Sequence, residues 1–522
     1  MIDGSMQPFA LTLDKFLDHA AKWHPSGEVV TAREDGRVDR IGYAELHSRS
    51  RRVSGALRSL GIKAGDRVAT LAWNSQAHVE TWFAIMGMGA VCHTLNPRLT
   101  ADQLGWMIRQ SEARILIASA DLLPLARQIA DRASGLRHVL AVDGDPNTAD
   151  ALEPLIALAE PISAWGDFDE NAPCGLCFTS GTTGQPKGVT YTHRSSFLHA
   201  MRLLQADVMA ISGTDSVLTV VPMFHANAWG LPFALPAVGG KLVLPGRQSG
   251  GASLAQLIRS EDVTIGVGVP TVWLGLVEHL ETEGGDLPSL KRIIVGGAPM
   301  APALMERIER RLGVSVQTSW GMTELSPSGT VARPDDPGRA AALSGRPPLG
   351  VDLMVADSQG VPLAEQRETE GHLHVRGAAV VERYFGQEEP ATDADGWFAT
   401  GDLARIDRAG NLIITGRAKD LIKSGGEWIN PAEIEAVVGA LPQVSLAAVI
   451  GRSDPKWGER PILLVEMREA ETSLSDEALL APLAGRVAPW WIPDEIVRLP
   501  AMPLAATGKI DKLRLRAEYG GA

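Results

Sequence analysis

GLCFTSGTTGQPKG, residues 175–188, is the stretch on which the reading of this chain turns. Gly175 to Phe178 is apolar and reads as a buried strand. It runs into Thr179-Ser180-Gly181-Thr182-Thr183-Gly184-Gln185-Pro186-Lys187-Gly188, where hydroxyl residues are interleaved with glycines ahead of a lysine. Glycines let the backbone approach a polyanion with its amides turned inward, hydroxyls add donors, and the lysine adds a point charge. The G-x-x-x-x-G-K-[ST] spacing is not met, so this is not a Walker A loop. A phosphate-binding loop at the end of a buried strand is the expectation.

Outward from this loop, strand-like and helix-like segments alternate over the first four hundred residues, which predicts α/β layers with parallel sheets. Residues 67–73, 115–118 and 138–142 read as strands, and 77–86 as a helix. Residues 291–295 form a further strand, ending in Gly296-Gly297, with a helix at 302–312 behind it. From about Gly371 the pattern shifts to shorter β elements with Gly and Asp turns. A second unit is expected to begin near Arg417, with strands at 446–450 and 462–465. The predicted organisation is a large domain at 1–417 and a small, mobile α+β domain at 418–522.

Composition narrows the function. The 522 residues are 45% hydrophobic and 21% charged, ordinary for a globular protein. A net charge of −13 argues against a nucleic-acid binder, which needs surplus Lys and Arg. Three cysteines (Cys92, Cys174, Cys177) point to a reducing, cytoplasmic setting without a disulfide framework. Cys174-x-x-Cys177 has no second pair to complete a zinc site and is read as core. Met1-Ile2-Asp3-Gly4-Ser5 has no basic start or apolar run, so no secretory signal is expected. The apolar stretch 218–240 is broken by Pro222, His225, Asn227, Pro232 and Pro236, and is read as core holding a functional turn rather than as a membrane span.

Four further stretches carry candidate chemistry: Gly296-Gly297-Ala298-Pro299, Trp320-Gly321-Met322-Thr323-Glu324, Thr400-Gly401-Asp402-Leu403 with Gly416-Arg417, and Thr507-Gly508-Lys509-Ile510-Asp511-Lys512. Each alone has a bland alternative. W-G-M-T-E would be a helix start capped by Thr323 and Glu324, Asp402 a turn residue, Arg417 a surface charge, and Lys509 a solvated lysine. Together with 179–188, and in this order, they resemble the adenylate-forming superfamily: acyl-CoA synthetases, aryl-CoA ligases, firefly luciferase and the adenylation domains of peptide synthetases. The resemblance spans nearly the whole chain.

That resemblance implies an AMP-forming acid–thiol ligase using ATP, Mg²⁺ and coenzyme A. It implies phosphate contacts from Thr179, Ser180, Gly181, Thr182, Thr183, Gly184 and Lys187. Trp320, where the family usually has Tyr, would lie against the adenine beside Gly321 and Met322. Thr323 and Glu324 would serve the phosphates and the metal, since Mg²⁺ prefers hard oxygen ligands. Gly297, Ala298 and Pro299 would wall the adenine from the acyl group. Asp402 would accept from both ribose hydroxyls, and Arg417 would approach ribose and phosphate. Lys509 would bridge the substrate carboxylate and the α-phosphate, cancelling their repulsion. Ala505 departs from the Thr often found in the family.

Residues 221–230 (VPMFHANAWG) match the acyl-site region, with His225 beside the carboxylate and Asn227, Trp229, Gly230 and Gly296 lining the pocket. Ala226 and Asn227 replace the aspartate of amino-acid-activating relatives, which favours an apolar acid. The F-H-A-N-A-W-G-L-P-F string is similar to medium- or long-chain fatty acyl-CoA and methylmercaptopropionate-CoA ligases, with aryl acids such as cinnamates as an alternative. Lys419 would be the hinge, and Ser424, Gly425, Gly426, Glu427 and Trp428 the channel for CoA. A carrier-protein-loading enzyme is a second reading, disfavoured because no fused carrier is seen. A non-catalytic nucleotide binder is a third, disfavoured because Lys509, Glu324 and Asp402 are intact. The resemblance also admits a homodimer.

Overall fold

The computed structural model describes residues 3–179, 186–468, 474–505 and 509–521. Two sheets carry the first 330 residues. In one, the order is His138–Val142, Ile115–Ser119, Arg67–Leu71, Val91–Thr94, Pro173–Thr179, Lys187–Thr192, all parallel except the last. In the other, eight strands run Ser328–Val331, Ser315–Gly321, Arg292–Val295, Ile265–Gly268, Ser216–Thr219, Lys241–Leu244, Glu28–Ala32, Val38–Gly42, with only the two edge strands antiparallel. Helices cover parallel strands on both faces, so those strands read as unbroken apolar runs, as Ile115–Ser119 does.

Helix starts follow local chemistry. Ser75 accepts from the His78 N–H, Thr100 and Gln103 form a reciprocal capping box, and Pro302 opens the helix Pro302–Leu312 at the position where a missing N–H costs nothing. In the core Trp82 stacks on Phe233, which meets Phe83 edge to face, and Trp82 and Trp273 are fully buried. Truncating either tryptophan would cost about 3–5 kcal/mol. Cys92, Cys174 and Cys177 are free and buried, in keeping with the core reading.

The change to β structure comes earlier than Gly371. An antiparallel sheet already begins at Val351–Ala356 and continues through Glu370–Gly377, Phe398–Ile406 and Leu412–Arg417. Its first strand passes from a part-exposed start to three successive buried residues, so it shows no sustained alternation in sequence. After the short turn Ala418–Asp420, the strands Ile422–Ser424, Glu427–Ile429, Val444–Asp454, Gly458–Met467 and Glu495–Leu499 form a separate sheet. No helix among the described residues is long and apolar enough to cross a membrane. Stretch 218–240 becomes a strand end, a tight turn and the helix Leu231–Val238, most of it buried.

Candidate active site

The carboxyl ends of parallel strands, the antiparallel sheet that starts at Val351 and the segment carrying Lys509 meet at one cleft. Thr179 and Lys187 are register partners at the ends of two antiparallel strands. Ser180, Gly181, Thr182, Thr183 and Gly184, like Thr507 and Gly508, lie outside the described residues. Lys187 places its ammonium 4.7 Å from the centre of the Tyr384 ring, and the Tyr384 hydroxyl donates to Glu324 Oε1 at 3.0 Å. Sequence reasoning missed Tyr384. The only available signal was the scarcity of the residue, one of four tyrosines in the chain.

W-G-M-T-E is not a helix start. Trp320 and Gly321 end the strand Ser315–Gly321, Met322 is extended, and Thr323 and Glu324 enter a short 3-10 turn. The Thr323 carbonyl accepts from the Tyr191 hydroxyl at 2.9 Å, which pins that turn to the floor of the cleft. Burial pushes the Glu324 carboxyl above its usual range, opposed by its own backbone N–H, by Tyr384 and by the charges of Arg417 and Lys187.

Asp402 and Arg417 are register partners on adjacent antiparallel strands, so their side chains share a face. Arg417 Nε donates to Asp402 Oδ1 at 2.6 Å, and Trp320 Nε1 donates to Oδ2 at 2.8 Å. Asp402 is 2% exposed, and burial raises its pKa against the pull of Arg417, Trp320, Lys509 and Lys419. Neither Asp402 as a bare turn residue nor Arg417 as a bare surface charge describes what is found.

Lys509 belongs to the same cluster. Its surface is exposed, so it enters a cleft open to solvent. Protein crowding its ammonium still lowers its pKa, with Arg417 adding to the shift and Asp402 and Glu324 opposing it. Its Cε would lie 3.9 Å from a Cβ built on Gly297, which has φ +79°. Trp229 crosses the same backbone: a Cβ on Gly296 would stand 2.9 Å from Trp229 Cη2 and 2.3 Å from Ser319 Oγ. Small residues here therefore make room for the indole. Ala298 is half-buried and Pro299 exposed beside them.

The segment 226–230, expected to line the acyl site, has an unusual backbone. Ala226, Asn227, Ala228, Trp229 and Gly230 all have positive φ, from 45° to 76°, a left-handed turn in which only Gly230 lacks a Cβ. Such conformations cost about 1–2 kcal/mol per non-glycine residue and persist where the surroundings enforce them. Asn227 is buried, and Gly230 packs so closely on His199 that a Cβ would meet Nδ1 at 2.7 Å. Burial, with Lys509 as the lesser cause, lowers the His225 pKa to about 4, so the ring is neutral at pH 7.

Lys419 sits in the turn Ala418–Asp420, its pKa lowered mainly by burial. Residues 424–428 make contacts within their own sheet and its connecting turn. Gly425 N–H donates to the Trp457 carbonyl, Ser424 Oγ accepts from Arg460, and Lys423 packs over Trp428. Glu427 and Trp428 are exposed, Trp428 by 53%. Gly425 and Gly426 have φ of 61° and 91°, which the hairpin turn requires.

Among the described residues no group of three His, Cys, Asp or Glu side chains could hold a metal ion by itself. Glu324, buried and with Oε2 free of the Tyr384 bond, fits as a single oxygen ligand to a cation that arrives with a nucleotide's phosphates.

Comparison with known proteins agrees with this geometry. The family model described as AMP-binding enzyme matches residues 17–385, and the AMP-binding enzyme C-terminal domain matches 433–509. The chain is 41% identical to the 3-methylmercaptopropionyl-CoA ligase of Ruegeria lacuscaerulensis, over 99% of each chain. It is 40% identical to the medium-chain-fatty-acid–CoA ligase of Ectopseudomonas oleovorans, over 99% of this chain and 97% of that one. In fold it is similar to ATP-bound MatB from Rhodopseudomonas palustris, with a TM-score of 0.87 at 26% identity, covering 98% of this chain and 99% of the other. The family models at either end and the shared cleft between them lead to one assignment: the chain belongs to the AMP-binding, adenylate-forming enzymes.

Proposed function

We propose that this protein is an AMP-forming acyl-CoA ligase: it joins a carboxylic acid to the α-phosphate of ATP, releases pyrophosphate, and passes the acyl group to CoA with release of AMP. The observation that carries this is the convergence of Lys509 with Asp402, Arg417 and Glu324 in one cleft. A ribose-sized acceptor, a phosphate-sized cation and a mobile ammonium stand where nucleotide and acid would meet.

In this reading Asp402 takes the ribose hydroxyls, and Trp320 flanks the base. Lys187, Thr179 and the loop residues with Thr182 hold the β- and γ-phosphates. A Mg²⁺ ion bound with ATP would neutralise phosphate charge, and Glu324 is the residue to hold it, oriented by Tyr384. Lys509 offsets the charge on the attacking carboxylate and the α-phosphate as they close. Catalysis is positioning plus electrostatics, and loss of one such donor costs roughly 10²–10³ in rate. His225, neutral, lies beside the reacting carboxylate. Residues 418–522 then turn about Lys419, withdrawing Lys509 and bringing Ser424 to Trp428 to the cleft as the path for the CoA thiol.

The acid is apolar. Trp229 walls the pocket, and Ala226 and Asn227 offer no carboxylate for a substrate ammonium. Medium-chain fatty acids and 3-methylmercaptopropionate are the leading candidates, given the names of the relatives at 40–41% identity. The test is AMP and pyrophosphate release across acids from acetate to palmitate, with methylmercaptopropionate, cinnamate and amino acids included. CoA-dependent AMP release with one apolar group of acids is expected. Pyrophosphate exchange without CoA turnover would instead identify a carrier protein as the acceptor.

A further inference from the structure

Asp402 holds two donors before any nucleotide arrives: Arg417 on Oδ1 and the Trp320 indole on Oδ2. A carboxylate has about two acceptor sites per oxygen. One donor on each oxygen leaves one site on each, a matched pair for the two hydroxyls of a ribose. The carboxylate cannot rotate without breaking both bonds.

Trp320 is itself held. It is 8% exposed, it pairs with Thr330 across the strand, and its six-membered ring lies on Gly329, where a Cβ would fall 2.4 Å from Cζ3. The absent side chain at 329 lets the indole lie flat with its N–H aimed at residue 402. The neighbouring backbone is fixed as well: the Asp402 N–H donates to Thr400 Oγ1, whose hydroxyl donates to the Leu373 carbonyl at 2.8 Å.

We propose that Trp320, beyond flanking the base, is a positioning residue for ribose recognition: its N–H fixes Asp402 so that one acceptor site on each oxygen faces the 2′- and 3′-hydroxyls. This rests on the reading of Asp402 as the ribose acceptor. Trp320→Phe keeps a flat ring and removes the donor. An N–H bond to a buried carboxylate that is lost from one side leaves the anion free to turn, so preference for the diol should fall.

The experiment measures kcat/KM for pyrophosphate exchange with ATP and with 2′,3′-dideoxy-ATP in three enzymes: wild type, Trp320→Phe and Asp402→Asn. The ratio between the two nucleotides within one enzyme cancels the fraction folded, so a partly unstable variant still reports. The expected result is a diol preference about tenfold smaller in Trp320→Phe than in wild type, the size of one charge-assisted hydrogen bond. Asp402→Asn should lose that preference too. If Trp320→Phe loses the same factor on both nucleotides while Asp402→Asn loses the preference, the indole acts by stacking alone and the proposal is overturned. If Asp402→Asn keeps the wild-type preference, the ribose reading fails and the proposal falls with it.

Discussion

The Tyr384 hydroxyl donates to Glu324 Oε1 at 3.0 Å while Lys187 lies over the same ring, so one tyrosine ties Lys187 to the cleft's buried carboxylate. Tyr384→Phe removes a bond that holds Glu324 toward its charged form. A hydrogen bond to a charged group contributes about 1.5–3 kcal/mol. The variant should therefore need roughly tenfold more Mg²⁺ for half-maximal adenylation, with the deficit widening as pH falls. An unchanged Mg²⁺ titration at pH 6 would show that Tyr384 merely packs.

Lys509 titrates below an ordinary lysine, because protein crowds its ammonium and Arg417 repels it. Adenylation needs the charged form, so Lys509 sets the basic limb: the rate should fall as pH rises through this lowered pKa. Lys509→Arg stays charged, and whatever exchange activity it retains should lack that basic limb. Lys509→Ala should lose about 10²–10³ in pyrophosphate exchange while largely sparing thioester formation from a supplied acyl-adenylate. Equal losses in both half-reactions would refute the division of labour.

Trp229 stands against the Gly296–Gly297 backbone through a left-handed turn. Trp229→Ala should shift the kcat/KM optimum toward longer or bulkier acids, because it empties space rather than removing chemistry. Gly296→Ala should do the reverse, since its methyl would displace the indole. Identical chain-length profiles in both variants would mean the pocket is closed elsewhere.

Arg468, just past the strand Gly458–Met467, pairs with Glu278 of the helix Pro270–Glu283 at 3.3 Å, beside Arg307 and Glu281. The partners are partly exposed, so the pair contributes only about 0.2–1 kcal/mol. Glu278→Ala should slow pyrophosphate exchange roughly two- to fivefold at low salt, and by less at high salt. A double variant with Arg468→Ala should be no worse than either single one. Additive losses would rule out direct coupling.

His93 is fully buried, with its pKa lowered to about 3 chiefly by burial. The folded state refuses a proton that the unfolded chain accepts below about pH 6.5. Its contribution is thus full above pH 6.5 and is lost as pH falls toward 3, by at most about 1.4 kcal/mol per pH unit. Urea unfolding of wild type and His93→Gln between pH 4 and 8 should converge toward acid and diverge toward pH 6.5. Parallel curves would exclude this group as a source of acid sensitivity.

Much of this protein was legible in residue order. The apolar strand that ends at Thr179, the glycine pair after 292–295 and the helix starting at Pro302 depend on near neighbours, and local propensity decides them. The resemblance marked Asp402, Arg417, Glu324 and Lys509, and their order along the chain carried the family. The sheet starting at Val351 was not legible, since its first strand goes from part-exposed to buried on both faces and so never alternates. Nor was any partnership that crosses elements. Trp320 and Asp402 are 82 residues apart, and Tyr384 and Glu324 are 60 apart. Such pairs form only when register and packing bring two sheets to one edge. The left-handed turn at 226–230 is likewise disfavoured by each residue's own preference, so only surrounding packing imposes it. The sequence by itself determined which chemistry the chain can perform; the tertiary structure decided how each group is held, because orientation, burial and pKa are set by neighbours distant in the chain.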